Sequence, residues 1–277
     1  MGRIGACLEA LTDRGEKALF PYITAGDPDL PFTRRLIREL AARGAHGVEV
    51  GVPFSDPLAD GPTIQGASVR ALRAGATLGK VLSLVSEVRG EVEIPLILMT
   101  YYNPIFARGE ERFVREAAAA GADGLIVPDL PPEEAGGLLR AAEDTPLDVI
   151  FMLAPTSTPP RMALVNEKGR GFIYYVAHMG VTGARGALAS DLAEALRRIN
   201  AIKRRPVLAG FGIKGPAQAA AVASLADGVI VGSALIDCMD AAEEEERKLR
   251  AAGDFVAALH QALTPEGAGK GAGRPWA

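Results

Sequence analysis

The chain has 277 residues, 48% hydrophobic and 23% charged, with a formal net charge of -4 and a pI near 5.6. That length and composition are ample for a large α/β core and exclude disorder over most of the chain. The acidic balance, with no contiguous basic stripe, argues against a nucleic-acid surface and leaves a small ligand as the expected partner of any site.

Residues 1–13 carry a helical pattern through Ile4, Leu8 and Leu11. Arg3, Glu9, Asp13 and Arg14 interrupt any signal-peptide core, and no apolar run reaches the length of a membrane span, so a cytoplasmic protein with no membrane association is expected. Cys7 and Cys238 lie far apart in Ala/Leu-rich segments and read as two reduced thiols.

Eight short β-rich runs follow: ALFPYIT (18–24), HGVEVGV (46–52), PLILMTY (95–101), GLIVPD (124–129), DVIFMLA (148–154), GFIYYVA (171–177), PVLAGFG (206–212) and GVIVGSA (228–234). Helical patterns lie between them, at 31–43, 110–120, 132–142, 188–202 and 216–225, while 62–89 has room for two helices broken at AGAT, 74–77. Several runs are introduced by a helix-ending Gly or Asp, as in ARGAHGVEV and LADGVIV. Runs apolar on both faces and joined by helices predict a parallel sheet covered by helices, and eight such units predict a (β/α)8 TIM barrel, an α/β fold. The first helix is then an addition expected to plug the barrel bottom. A single barrel domain is expected over residues 1–264, with a disordered Gly/Pro-rich tail at 265–277 that holds the only tryptophan, Trp276.

In such a barrel, function sits at the C-terminal strand ends. Alternation in GVEVGV sends Val48, Val50 and Val52 to the helices and Glu49 into the barrel, with Gly47 and Gly51 expected to leave space beside it. A desolvated carboxylate there has a raised pKa and suits proton transfer; the competing reading is an acid paired with a buried base, against which stands the lack of any Lys or Arg in the eight runs. The following loop, PFSDPLADGP, carries Asp56 and Asp60, each of which taken alone reads as turn chemistry. Glycine-rich turns at GVTGARG, GFGIKGP and GSALID fit a phosphate site, with a helix starting at Ser233 aiming free N–H groups at an anion. Tyr22, Met99, Tyr101, Tyr174 and Phe211, at strand ends, could line an aromatic pocket or belong to the core. No metal is expected: His46 and His260 lie away from the mouth, and His178 stands alone.

PYITAGDPD, GVEVGVPFSDPLADGPTIQ, MTYYNPI, GLIVPDLPPEE, GVTGAR and PVLAGFGI followed by ADGVIVGSA resemble, in order and spacing, the α chain of tryptophan synthase, from about Leu19 to Ile236. The resemblance implies a lyase that cleaves indole-3-glycerol phosphate to indole and glyceraldehyde 3-phosphate by a retro-aldol reaction. It implies no cofactor in this chain, pyridoxal phosphate in a partner β chain, and an assembly of two α and two β chains. The family's catalytic acids fall on Glu49 and Asp60, with Tyr174 beside the first. Its indole pocket falls on Tyr22, Met99, Ile126, Leu153 and Phe211, and its phosphate site on Gly183, Gly212, Gly232 and Ser233. Thr182 matches a threonine that meets the loop aspartate. One departure is Ala177, where the family usually has Ser. Two other readings compete with this one: a different phosphate-binding barrel enzyme, such as a sugar-phosphate isomerase or epimerase, and a barrel kept mainly to activate a β chain.

Overall fold

Val48 to Gly51 and Gly228 to Val231 are buried at every position, as strands covered on both sides must be. The computed structural model describes residues 2–176, 185–210 and 212–264, the side chains of 185–191 excepted. The expected tail at 265–277 lies outside the described residues.

The chain opens with α1 (Arg3–Asp13), β1 (Ala18–Thr24), α2 (Leu30–Ala42) and β2 (Val48–Gly51), then α3 (Pro62–Arg73) and α4 (Leu78–Arg89). The middle holds β3 (Leu96–Met99), α5 (Tyr102–Arg108), α6 (Glu110–Ala119), β4 (Gly124–Ile126), α7 (Gly136–Ala142), β5 (Asp148–Ile150) and β6 (Met152–Leu153). It closes with α8 (Pro159–Lys168), β7 (Ile173–Val176), α9 (Arg185–Asn200), β8 (Val207–Gly210), α10 (Pro216–Ala223), β9 (Gly228–Val231), α11 (Ser233–Asp240) and α12 (Glu245–Leu263).

All pairings among the described strands are parallel, in the order β5-β4-β3-β2-β1-β9-β8-β7-β6. The expected fifth strand is split at Phe151, which is why nine strands stand where eight runs predicted eight. Because β5 and β6 are halves of one run, the sheet curls into a nearly closed barrel, and Tyr174 N–H donates to the Phe151 carbonyl at 3.1 Å across the break. The helix after β4 starts four residues later than expected, because Glu134 N–H bonds back to the Pro131 carbonyl at 3.0 Å and makes a turn of PPEE. The 62–89 segment does break in two, with the Thr77 hydroxyl capping α4 by accepting from Lys80 N–H. Gly44 (φ +97°) and Gly121 (φ +86°) end α2 and α6 in the left-handed region that glycine permits.

Two apolar layers result. Val48, Val50 and Val52 join the larger one, between sheet and helices, with Phe32, Leu36 and Phe113. The barrel interior holds Phe20, Ile97, Ile126, Ile150, Phe172, Tyr174, Leu208 and Ile230. Ile4, Leu8 and Leu11 of α1 pack into that interior, so the helix plugs the barrel bottom as expected. Its docking is tied down by Arg3, which donates to Asp123 at 2.5 Å. Cys7 and Cys238 are both free.

Candidate active site

The inward rows meet near the C-terminal strand ends. Tyr22 of β1 is in register with Glu49 of β2, and Gly51 is in register with Met99 of β3, itself opposite Ile126 of β4. Glu49 is fully buried, and neither carboxyl oxygen has a hydrogen-bond partner among the described residues. Burial alone pushes its pKa up to about 8, which removes the reading of an acid neutralised by a buried base.

The glycines flanking Glu49 serve a different purpose from the one expected. A Cβ on Gly47 would stand 2.8 Å from the Phe20 ring, and one on Gly51 only 2.2 Å from the Tyr22 hydroxyl. They admit aromatic rings from β1, so the wall beside Glu49 is aromatic. Gly210 does the same for Tyr174, whose ring lies 2.4 Å from where a Cβ would be. Tyr174 is nearly buried, and its phenol pKa is raised, chiefly by burial and then by the charges of Glu49, Tyr22 and Asp60. Glu49, Asp60, Tyr22 and Tyr174 therefore share one electrostatic neighbourhood.

Asp60 reaches it from the loop after β2. Its backbone N–H bonds to the Pro57 carbonyl at 3.0 Å, and its carbonyl accepts from Gln65 Nε2 at 2.9 Å. Its carboxylate accepts from the Tyr101 hydroxyl at 3.0 Å. Burial raises the Asp60 pKa and this hydrogen bond opposes the rise. On the far side, Gly232 caps α11, and a Cβ there would stand 3.3 Å from Tyr22, so the helix start and the aromatic wall touch. An anion at the N–H groups of Ser233 and Ala234 would thus lie next to an aromatic pocket ending in a buried acid.

A profile of the tryptophan synthase alpha chain family matches residues 8–264. The chain belongs to that family. The tryptophan synthase alpha chain of Geobacter sp. (strain M21) is 51% identical over 263 residues, covering 95% of this chain and 98% of the relative. That of Gloeobacter violaceus is 51% identical over 247 residues, 89% and 90% of the two chains. The crystal structure of tryptophan synthase subunit alpha from Legionella pneumophila superposes with a TM-score of 0.88 at 41% identity, over 95% of this chain and 98% of that one. As a tryptophan synthase alpha chain the protein is an enzyme subunit, the lyase that cleaves indole-3-glycerol phosphate in tryptophan synthesis.

Within this tryptophan synthase barrel, Leu153, one of the residues expected at the indole pocket, lies on the other face of its strand. Leu153 pairs with Tyr175 and packs in the layer between sheet and helices. Met152 pairs with Tyr174 and packs against the barrel interior, so Met152 holds the position given to Leu153. Strand alternation carries the signal: Ile150 faces inward, so Met152 two residues on does as well. Ile126 and Met99 pack against the barrel interior, and Tyr22, in register with Glu49, sets its hydroxyl over Gly51. Gly212 follows β8 with φ +20°. Thr182, Gly183, Phe211, Ala177 and His178 lie outside the described residues.

Other clusters stand apart from this mouth. His46 and His260 meet near the barrel bottom with ring centroids 5.2 Å apart, and His46 Nδ1 accepts from Leu19 N–H. A groove between α2 and α4 is lined by Arg34, Arg35, Arg38 and Lys80, the arginines being ion-paired with glutamates. Among the described residues no three His, Cys, Asp or Glu side chains are placed to hold a metal ion, and no helix is long and apolar enough to cross a membrane.

Proposed function

We propose that Glu49 carries the proton transfers of the cleavage and Asp60 accepts the indole N–H. The observation that carries this is the fully buried Glu49 carboxyl, without a hydrogen-bond partner among the described residues and with a pKa of about 8, at a C-terminal strand end. At neutral pH such a group is mostly protonated, so it can give its proton to indole C3. Its conjugate base then takes the proton of the hydroxyl on the adjoining glycerol carbon. The C–C bond breaks, its electron pair restores the indole ring, the hydroxyl carbon becomes the aldehyde, and Glu49 ends protonated as it began. A carboxylate at Asp60 stabilises the positive charge that develops on the indole nitrogen. Tyr22, Met99, Ile126, Met152 and Tyr174 line the indole pocket in this reading, with Phe211 as a further member and Thr182 meeting Asp60.

The phosphate is assigned to Gly212, Gly232 and Ser233, together with Gly183. Replacing Gly212 with valine is expected to raise the KM for the phosphorylated substrate roughly tenfold or more while free indole binds almost as before, because the branched side chain blocks backbone approach to the anion. Steady-state indole release and indole titration read the two effects. Equal weakening of both ligands would make the turn structural.

The family implies a β-chain partner. We assign to the complex two α and two β chains with pyridoxal phosphate in β, and the cytoplasm as its place. The docking rim is assigned to the loop bearing Asp56 and Pro57 and to Asn103 and Pro104. Leu58 is 93% exposed and Phe106 68% exposed beside these residues, two large apolar side chains suited to an interface. Ile105, next in sequence, is fully buried, and Phe106 takes the outward place. Asp56→Ala should reduce stimulation by β severalfold while the slow activity of the isolated chain stays the same. Identical titration curves for the two proteins would return Asp56 to the solvated loop acids.

A further inference from the structure

Tyr101 lies between the strand that carries Met99 and the helix that carries Phe106, and its backbone is fixed on both sides. It is the N-cap residue of α5, whose first N–H, that of Tyr102, donates to Asp129 Oδ1 at 2.8 Å. The Tyr101 side chain is 6% exposed, and its ring stacks on Phe54 with centroids 5.2 Å apart and planes 26° apart. Its hydroxyl accepts from Ala59 N–H at 2.9 Å and donates to Asp60 Oδ2 at 3.0 Å. One phenol thus grips the β2 loop near its start, at Phe54, and near its end, at Ala59 and Asp60.

The loop's other described hydrogen bonds lie within it or run to the helix that follows, where Gln65 Nε2 of α3 donates to the Asp60 carbonyl at 2.9 Å. Leu58 N–H reaches the Asp56 carbonyl, Asp60 N–H the Pro57 carbonyl, and Ser55 the Asp56 carboxylate. The three bonds within the loop shape the turn, and the Gln65 bond ties its end to α3 through the Asp60 backbone, leaving the carboxylate free of it. Among the described residues, Tyr101 is the side chain that reaches the Asp60 carboxylate from another element. Its bond is to Oδ2.

We propose that Tyr101 is a positioning residue for the cleavage, holding Asp60 ionised and in place to accept the indole N–H. The proposal rests on the assignment of Asp60 as that acceptor. Burial favours the neutral carboxyl, and the phenol donor favours the carboxylate. A hydroxyl that is also an acceptor for Ala59 N–H is oriented so that its own proton points at Asp60.

Tyr101→Phe keeps the ring and its stacking on Phe54 and removes only the hydroxyl. In the full-length protein, kcat for indole release should fall on the order of tenfold with KM nearly unchanged. Asp60 must be ionised to act, so the rate falls as pH drops through its pKa. Losing the donor raises that pKa, and the acid limb of the kcat profile should move up by about one pH unit, leaving the alkaline limb in place. Asp60→Asn provides the second arm: adding Tyr101→Phe to it should cost little more. An unmoved acid limb, with or without a loss of rate, would overturn the proposal, as would a full tenfold further loss in the Asp60→Asn background. Wild-type turnover by Asp60→Asn itself would overturn the assignment of Asp60 as well, which separates the two failures.

Discussion

Replacing Glu49 with glutamine is expected to lower indole release by a factor of about one hundred or more, the range lost with a general acid–base. Glutamine keeps the length and planarity of the side chain, so the rings of Tyr22 and Phe20 that fill the space over Gly51 and Gly47 need not move. Substrate affinity, read by calorimetry on the slowly turning variant, should change little, because the indole wall and the phosphate turns are intact. The wild-type protein should also lose rate above about pH 8, where Glu49 gives up the proton it must donate. Turnover by Glu49→Gln at the wild-type rate would remove Glu49 from the chemistry.

The acid itself was legible because strand alternation is a strict rule: with Val48, Val50 and Val52 facing the helices, Glu49 has only the barrel to enter. The barrel was legible for the same kind of reason, apolar runs and helices recurring in sequence with Gly or Asp at several of the returns. What escaped depends on contacts between distant segments. That Gly51 makes room for Tyr22 follows from the register of β1 on β2, which no local pattern records. The bond from Tyr101 to Asp60 joins residues 41 apart, and neither position announces the other. The break at Phe151 reflects where the ladder from β4 gives way to that from β7, a property of closing the sheet. Leu153 is a different case. Alternation within DVIFML already placed Ile150 and Met152 on one face, and applying to strand five the rule used on strand two gives Met152 the inward place.

The same buried carboxyl to which the cleavage is assigned should weaken the fold, by an amount that depends on pH. In the unfolded chain Glu49 titrates near its ordinary 4.5, whereas in the folded protein burial raises this to about 8. Below about pH 4.5 both states hold the proton and the group is neutral in the balance. Between 4.5 and 8 the unfolded state ionises while the folded state does not, so stability is lost with rising pH at about 1.4 kcal/mol per unit. Above 8 the loss levels off, at roughly 4–5 kcal/mol. Glutamine does not titrate, so the stability of Glu49→Gln relative to wild type should climb across that window and be flat outside it. A fixed offset for burying the amide leaves the slope untouched, and groups common to both proteins cancel in the difference. Denaturant unfolding of the two proteins at pH 5, 6.5, 8 and 9 measures it. A difference that stays constant from pH 5 to 8 would mean that Glu49 is hydrated or paired in the folded protein. The site would then lack the desolvation that makes this residue an acid at neutral pH.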